Sequence, residues 1–260
     1  MNRTSLHPIT RPAVRTAAAL GLVASLFCAA PAMADVVTFE SLPASANESG
    51  VTVSEGAYNM LFVEGPVAAF FGVVSGVGTV IDSTNPNSCD IIACPSGATG
   101  NYLAVLNDGA VKFTYNGPLD GFTVSGFDFA FLPPAPVGPG NYGQLQLTGV
   151  TWSGATVSTA LDFAGQDNNG NFMFGGAVLD QAFRNNVFTS LSFNACIYDS
   201  NNVCSNSLDS PAFNQAQFGL DNVALTAVPE PTSFLLMGLG LGALGLARRR
   251  SAKAAPSTTL

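Results

Sequence analysis

Apolar and polar residues alternate in short stretches along most of the chain, and this period of two predicts β-strands. Leu145 and Leu147 alternate with glutamines, and Leu191 and Phe193 alternate with serines. Each stretch would place one row of side chains in a core and the other in water. No convincing amphipathic helix interrupts the pattern between residues 35 and 228. The pattern therefore predicts an all-β fold of about ten to twelve strands, arranged as a single antiparallel β-sandwich.

The alternation changes parity inside two of the predicted strands. Apolar positions switch from even to odd numbers at Ser125-Gly126 and again at Asp221-Asn222. One extra residue in a strand produces such a switch, so a β-bulge is predicted at each place. Residues 152–155 and 167–170 have the composition of hairpin turns.

Charge is distributed unevenly along the chain. Between residues 35 and 228, Lys112 and Arg184 stand against sixteen carboxylates, a net charge of −14, whereas each end carries +3 within a total of −8. Such an acidic body repels phosphate, which argues against nucleic-acid binding. The only histidine is His7, so the body lacks the imidazole of Ser-His-Asp or Cys-His catalysis and of His-ligated zinc.

The N-terminal segment, residues 1–34, has the three parts of a secretory signal peptide. Three arginines precede an apolar run from Thr16 to Ala30, and Ala32 and Ala34 supply the small residues that signal peptidase requires. We expect a signal-peptide helix here and cleavage before Asp35. An uncleaved membrane anchor is the alternative interpretation.

The C-terminal segment, residues 229–260, also has three parts. Pro229, Glu230 and Pro231 favour an extended backbone that a protease can read. A Gly-rich apolar stretch, residues 234–247, predicts a short transmembrane helix that anchors the chain transiently in the inner membrane. The basic residues that follow would stay cytoplasmic and stop transfer; they are Arg248, Arg249 and Arg250.

This tail closely resembles the PEP-CTERM sorting signal of Gram-negative bacteria, in which Pro-Glu-Pro, an apolar helix and an arginine cluster follow in the same order. The resemblance implies recognition by an exosortase, a membrane cysteine protease, and release to the outer surface or the extracellular matrix. Residues 251–260 form a longer tail after the arginines than the family usually carries. An ordinary C-terminal membrane anchor is the alternative.

Four cysteines remain if Cys28 leaves with the signal peptide: Cys89, Cys94, Cys196 and Cys204. Three pairings can join four cysteines. The local pairs, Cys89 with Cys94 and Cys196 with Cys204, are favoured because small loops close at low entropic cost. An oxidising compartment would let both disulfides persist. A four-cysteine metal site is disfavoured because the spacing lacks CxxC pairs.

The body has a fainter family resemblance. The string Gln217-Phe218-Gly219-Leu220-Asp221 resembles a QFxxD-type group of PEP-CTERM proteins. The opening and closing strands are similar to those of jelly-roll sandwiches related to carbohydrate-binding modules. The resemblance implies a jelly-roll-like sandwich whose first and last strands are neighbours.

Few residues of the body suggest a site. Glu40 and Asp221 are weak candidates for a structural Ca²⁺, because carboxylates are the oxygen ligands that Ca²⁺ accepts; no other cofactor is expected. Ordinary solvated or capping carboxylates are the favoured interpretation. Five aromatic residues have the chemistry to stack on sugar rings, although packing in the core is favoured; they are Trp152, Tyr58, Tyr102, Tyr142 and Tyr198.

The sequence therefore predicts destination better than activity. The leading hypothesis is an exported, non-enzymatic protein of the cell surface or its polysaccharide matrix, whose partners during export are signal peptidase and exosortase. The alternative is a carbohydrate-binding module that acts on exopolysaccharide. A glycoside hydrolase with paired carboxylates is a third hypothesis, from a different class.

Overall fold

The computed structural model describes residues 34–71, 76–89, 94–117, 121–133, 140–205, 216–228, 238–245 and 248–249. The described residues between Ala34 and Val228 form one compact unit. The predicted signal peptide lies outside the described residues except for Ala34, which begins the first strand.

Between Ala34 and Val228 the described residues form fourteen β-strands and two short α-helices. The strands are β1 (Ala34–Val37), β2 (Ala46–Asn47), β3 (Thr52–Glu55), β4 (Tyr58–Val63), β5 (Gly78–Asp82), β6 (Asn101–Val105), β7 (Ala110–Tyr115), β8 (Gly121–Phe131), β9 (Gly143–Thr151), β10 (Thr156–Asp162), β11 (Gly175–Gly176), β12 (Phe188–Tyr198), β13 (Cys204–Ser205) and β14 (Phe218–Val228). The helices are α1 (Pro66–Phe71) and α2 (Gln181–Arg184), and a 3₁₀ turn covers Pro86–Cys89.

The strands pair antiparallel throughout and curl into two layers. In the first layer β14 lies between β8 on one side and β6 and β1 on the other. Strand β5 pairs with the far side of β6, and β2 pairs with β5. Strand β11 pairs with β8. The second layer runs β3-β4-β7-β12-β9-β10, with β13 on β12. The predicted antiparallel sandwich is confirmed, and β1 and β14 are neighbours as the jelly-roll resemblance implies.

Aromatic side chains fill the space between the layers. The ring of Phe127 on β8 meets the ring of Phe193 on β12 edge to face, with centroids 5.1 Å apart. Tyr58 on β4 meets Phe122 on β8 at 5.7 Å. Edge-to-face pairs of this kind add stability beyond the area that they bury.

Both predicted bulges are present, and they face each other. Asp221 pairs with Asp128 and Ala224 pairs with Gly126, so β14 has one extra residue, and Asn222 there adopts a φ of +50°. The next pair is Leu225 with Val124, so β8 has one extra residue at once. The two insertions cancel, and the register beyond them is the same as before them.

Candidate functional site

The β14 bulge places a carboxylate inside the protein. Asp221 is only 4% exposed. Its Oδ1 accepts a 2.7 Å hydrogen bond from the backbone N–H of Asn222, and the Asn222 side-chain amide donates to Oδ2 of Asp128 at 2.9 Å. Burial raises the pKa of Asp221 from 3.8 to about 6, although the hydrogen bond from Asn222 opposes the shift. The charges of Asp128, Glu40 and Glu55 raise it further.

The two calcium candidates are near enough to interact electrostatically, but each has protein partners of its own. The Oε1 atom of Glu40 accepts a 2.8 Å hydrogen bond from the backbone N–H of Asn101. Within the part of the chain that the structure describes, no three Asp, Glu, His or Cys side chains come together as a metal-binding group. Calcium binding at Glu40 and Asp221 therefore stays a prediction, and backbone carbonyls would have to complete the site.

The Asp167 segment is a turn closed by its own carboxylate. Oδ1 of Asp167 accepts hydrogen bonds from the backbone N–H groups of Asn169 and Asn171 at 2.8 and 2.9 Å. Gly170 completes the turn with a φ of +84°. This geometry agrees with the turn that the composition predicts.

The five aromatic candidates do not form one platform. Tyr58 and Tyr102 are each 1% exposed and belong to the core, so neither can stack on a sugar. Trp152, Tyr142 and Tyr198 are half-buried. Trp152 follows the last residue of β9 and Tyr142 precedes the first, so β9 separates them by about 30 Å.

A polar surface covers the outer face of β9, β10 and β12, and we call it the polar face. Its side chains are bonded to one another in pairs: the hydroxyls of Thr148 and Ser158 lie 3.2 Å apart, and the Asn194 amide donates to Oε1 of Gln146 at 2.9 Å. A shallow groove of about 420 Å³ runs between β9 and β10. Its lining consists of Gln146, Leu147, Thr148, Ser158, Thr159 and Ala160.

One carboxylate stands at the end of the polar face. Oδ1 of Asp162 accepts hydrogen bonds from the Tyr198 hydroxyl at 2.8 Å and from the Gln144 amide at 3.0 Å. These bonds, with that of Tyr198 the stronger influence, hold the pKa of Asp162 below its usual range. The polar face thus presents hydroxyl and amide groups in fixed positions, which is the chemistry that hydrogen-bonds to uncharged polyols.

Two local disulfides are present, Cys89 to Cys94 and Cys196 to Cys204. The first joins the last residue of the 3₁₀ turn to Cys94, and the second ties the end of β12 to β13. These are the pairs that the loop-closure argument favours, and each closes a short loop.

The C-terminal tail is described only in part. Residues 238–245 and 248–249 are helical, and Arg248 and Arg249 are exposed. The Pro229-Glu230-Pro231 tripeptide and Arg250 lie outside the described residues. Of the helices that the structure does describe, none is long and apolar enough to cross a membrane.

Residues 227–251 match the PEP-CTERM protein-sorting motif. The match begins at Ala227, which is still paired with Phe122 in the sheet, so it includes the last two residues of β14. The sequence resemblance to this sorting signal is thereby confirmed for the tail. No curated protein is significantly similar to the chain.

Solved structures resemble the sandwich only remotely. A mutant of CBM29-2, a family 29 carbohydrate-binding module, is 11% identical, with a TM-score of 0.32 over 75% of this chain and 93% of that chain. A cyclase from Fischerella sp. TAU is 11% identical, with a TM-score of 0.35 over 76% of this chain and 98% of that chain. Similarity at this level assigns neither a ligand nor an activity to the chain.

Sequence reasoning missed the polar face. The signal was present, since Gln144, Gln146 and Thr148 alternate with buried leucines on β9. The alternation on β9 could not show that β10 and β12 are its neighbours. The polar face forms only because these three strands pair side by side.

Proposed function

We propose that this protein is exported by a Gram-negative bacterium and is processed by an exosortase that acts at Pro229-Glu230-Pro231. The processed sandwich would then remain at the outer surface or in the extracellular matrix. The observation that carries the proposal is the match of residues 227–251 to the PEP-CTERM motif. Two disulfides support an oxidising destination, because such bonds persist outside the cytoplasm.

The charge distribution supports the same route. The three arginines at residues 248–250 follow the apolar segment and favour a cytoplasmic end. The basic N-terminal segment precedes an apolar run of signal-peptide length. Signal peptidase and exosortase would therefore remove both positive ends, which leaves a product with a net charge close to −14.

We expect the substitutions Pro229→Ala, Glu230→Ala and Pro231→Ala, made together, to stop release of the protein. The apolar segment and the arginines would then hold the chain in the inner membrane, so the amount released should fall at least tenfold. Cell fractionation and intact-mass measurement check this; the unmutated product should begin at Asp35 and end between Pro229 and Ser233. Pro256→Ala with Ser257→Ala is the control, since these residues follow the motif. Released protein that retains residues 248–250 would refute the proposal.

The sandwich itself would act as a structural or binding module and not as a catalyst. Residues 35–228 contain no histidine, and their only cationic side chains are those of Lys112 and Arg184. A strongly acidic surface keeps a protein soluble and resists adsorption to anionic polymers. These properties suit a component of a matrix of uncharged polysaccharide.

The polar face favours a second candidate function, binding of an uncharged polysaccharide. Its hydroxyl and amide groups are already bonded in pairs, so little side-chain order would be lost on binding. The net charge of the body disfavours an anionic polysaccharide, because the two would repel each other.

Removal of one amide pair tests the second candidate. We expect Gln146→Ala with Asn194→Ala to weaken binding to the uncharged fraction of the organism's exopolysaccharide about tenfold in a sedimentation assay. Ser54→Ala with Asn59→Ala is the matched control, because this pair is also hydrogen-bonded, at 2.7 Å, but lies on strands β3 and β4, which β7 separates from β12. Equal binding by both variants, or no binding by the unmutated protein, would eliminate the candidate.

A further inference from the structure

The layer edges differ in how well they are protected from pairing with another chain. Unpaired edges recruit further strands, and proteins protect them by keeping them short, charged or interrupted. Three edges are short: β2 and β11 have two residues each, and β3 has four. Strand β10 has seven, Thr156 to Asp162, with no proline, glycine or lysine and with one charge at its end. It is therefore the unprotected edge of the described sandwich.

The outer backbone groups of β10 are open for pairing. Phe163 donates its N–H to Gly143 and Thr151 donates to Ala155 across the β9–β10 hairpin, which fixes the odd-numbered residues as those bonded to β9. The N–H and C=O groups of residues 156, 158, 160 and 162 therefore point away from β9. No hydrogen bond from another described segment reaches them. Helix α2 contacts β10 and β8; its Phe183 packs into the core against Phe188, whereas its other three residues are exposed.

The sequence of β10 complements itself about its centre. A two-fold axis through Thr159 places Ser158 opposite Ala160 and Thr156 opposite Asp162, and all of these residues have outward-pointing backbone groups. Each such pair exchanges two hydrogen bonds, as antiparallel ladders require. The odd-numbered residues pair equally well: Val157 faces Leu161, and both already pack against the core. No like charges stand opposite each other, because each Asp162 meets a threonine.

We propose that β10 pairs with β10 of a second copy of this chain, antiparallel and centred on Thr159. The second layers of the two copies then form one continuous sheet, and the two polar faces lie side by side on its outer surface. The contact concerns the sandwich alone and does not depend on the sorting proposal. The acidic bodies repel each other, so pairing requires salt near 0.15 M, where charges are screened beyond about 8 Å.

A proline in β10 tests the contact without touching the β9 ladder. Ala160→Pro removes an outward N–H and places a ring where the second strand would lie, a position that edge strands tolerate. We expect the exported protein, released or extracted in mild detergent, to sediment as a dimer at micromolar concentration. Ala160→Pro should weaken the dimer at least tenfold, whereas the control Ala160→Thr keeps the N–H and should dimerise normally. A monomeric unmutated protein, or dimerisation of Ala160→Pro equal to that of the control, overturns the proposal.

Cysteine cross-linking tests the register even if the proline variant fails to fold. Across the axis the two Thr159 Cα atoms would lie about 4.5 Å apart, within the range of a disulfide. Thr159→Cys should therefore link two chains under mild oxidation. Val157→Cys should not link two chains, because Val157 of one copy lies opposite Leu161 of the other. The two Val157 residues are therefore four residues, or about 13 Å, apart along the paired strands. A mixture of Val157→Cys and Leu161→Cys chains should link again. Equal linking of Thr159→Cys and Val157→Cys, or failure of Thr159→Cys to link, excludes this register.

Discussion

Phe193→Ala is expected to lower the free energy of unfolding by about 4 kcal/mol, the cost typical of an aromatic core residue that leaves a cavity. Phe193 is fully buried. Its ring meets Phe113 in its own layer at 5.4 Å and Phe127 in the opposite layer at 5.1 Å. The substitution therefore removes contacts within one layer and between the two layers together.

Urea unfolding at neutral pH measures the effect of Phe193→Ala. Phe193→Leu keeps most of the apolar volume and should cost less than half as much. Val178→Ala is the surface control, because Val178 is 86% exposed and should change stability by less than about 0.5 kcal/mol. A loss below 1 kcal/mol for Phe193→Ala would show that the two layers do not depend on this contact.

Asp221→Asn is expected to stabilise the protein by about 2 kcal/mol at pH 7.5. The pKa of this group is about 6 in the folded protein and 3.8 in the reference state, a difference equivalent to about 3 kcal/mol against the ionised form. The weaker hydrogen bond from Asn222 to an uncharged side chain offsets part of that gain.

The pH dependence identifies Asp221 as the cause. Because its folded-state pKa is raised, the contribution of Asp221 to the free energy of unfolding is fully present below pH 4 and is lost as the pH rises to and through 6. The unmutated protein and Asp221→Asn should therefore have similar stabilities at pH 4, should diverge between pH 4 and pH 6, and should differ by a constant amount at higher pH. Hydrogen bonds lower the pKa of four other carboxyls, so these groups make the protein more stable as the pH rises. Their effect is the same in both proteins and cancels when the two stabilities are compared. The four are Asp82, Asp162, Asp167 and Asp199. Parallel curves across this pH range would contradict the assignment.

The same variant tests the calcium prediction. If Ca²⁺ binds the folded state through Asp221, millimolar Ca²⁺ should raise the melting temperature and a chelator should lower it. Asp221→Asn would then destabilise the protein in Ca²⁺ while it stabilises the protein in chelator. Identical melting curves in Ca²⁺ and in chelator would show that calcium does not bind the folded state. Asp221 would then be a buried carboxylate whose charge is unfavourable.

The sequence was most informative where a feature depends on neighbouring residues. The parity switches at Ser125-Gly126 and Asp221-Asn222 located both bulges, because an extra residue exchanges the two faces of a strand. Strand alternation likewise identified β9 and β12. Local loop closure indicated the disulfides for the same reason.

Features that depend on distant pairing could not be predicted. The sequence of β12 does not indicate that its neighbours in the sheet are β7 and β9. The burial of Asp221 also escaped prediction, because a bulge residue faces inward or outward according to the strands beside it. The sequence also could not tell which of the five aromatic candidates are buried; Tyr58 and Tyr102 pack in the core, which agrees with the favoured interpretation.

The position of β14 has a consequence for the timing of folding. This strand is the last before the PEP-CTERM motif, and it separates β8 from β6 and β1. If the chain is exported N-terminus first, as proposed, the first layer cannot be completed until β14 has crossed the membrane, because this central strand arrives last. Until then β8, β6 and β1 present unpaired edges that can aggregate. Because the apolar tail follows β14 along the chain, it would reach the membrane only as β14 crosses, and it would then hold each chain there while β14 pairs with β8, β6 and β1.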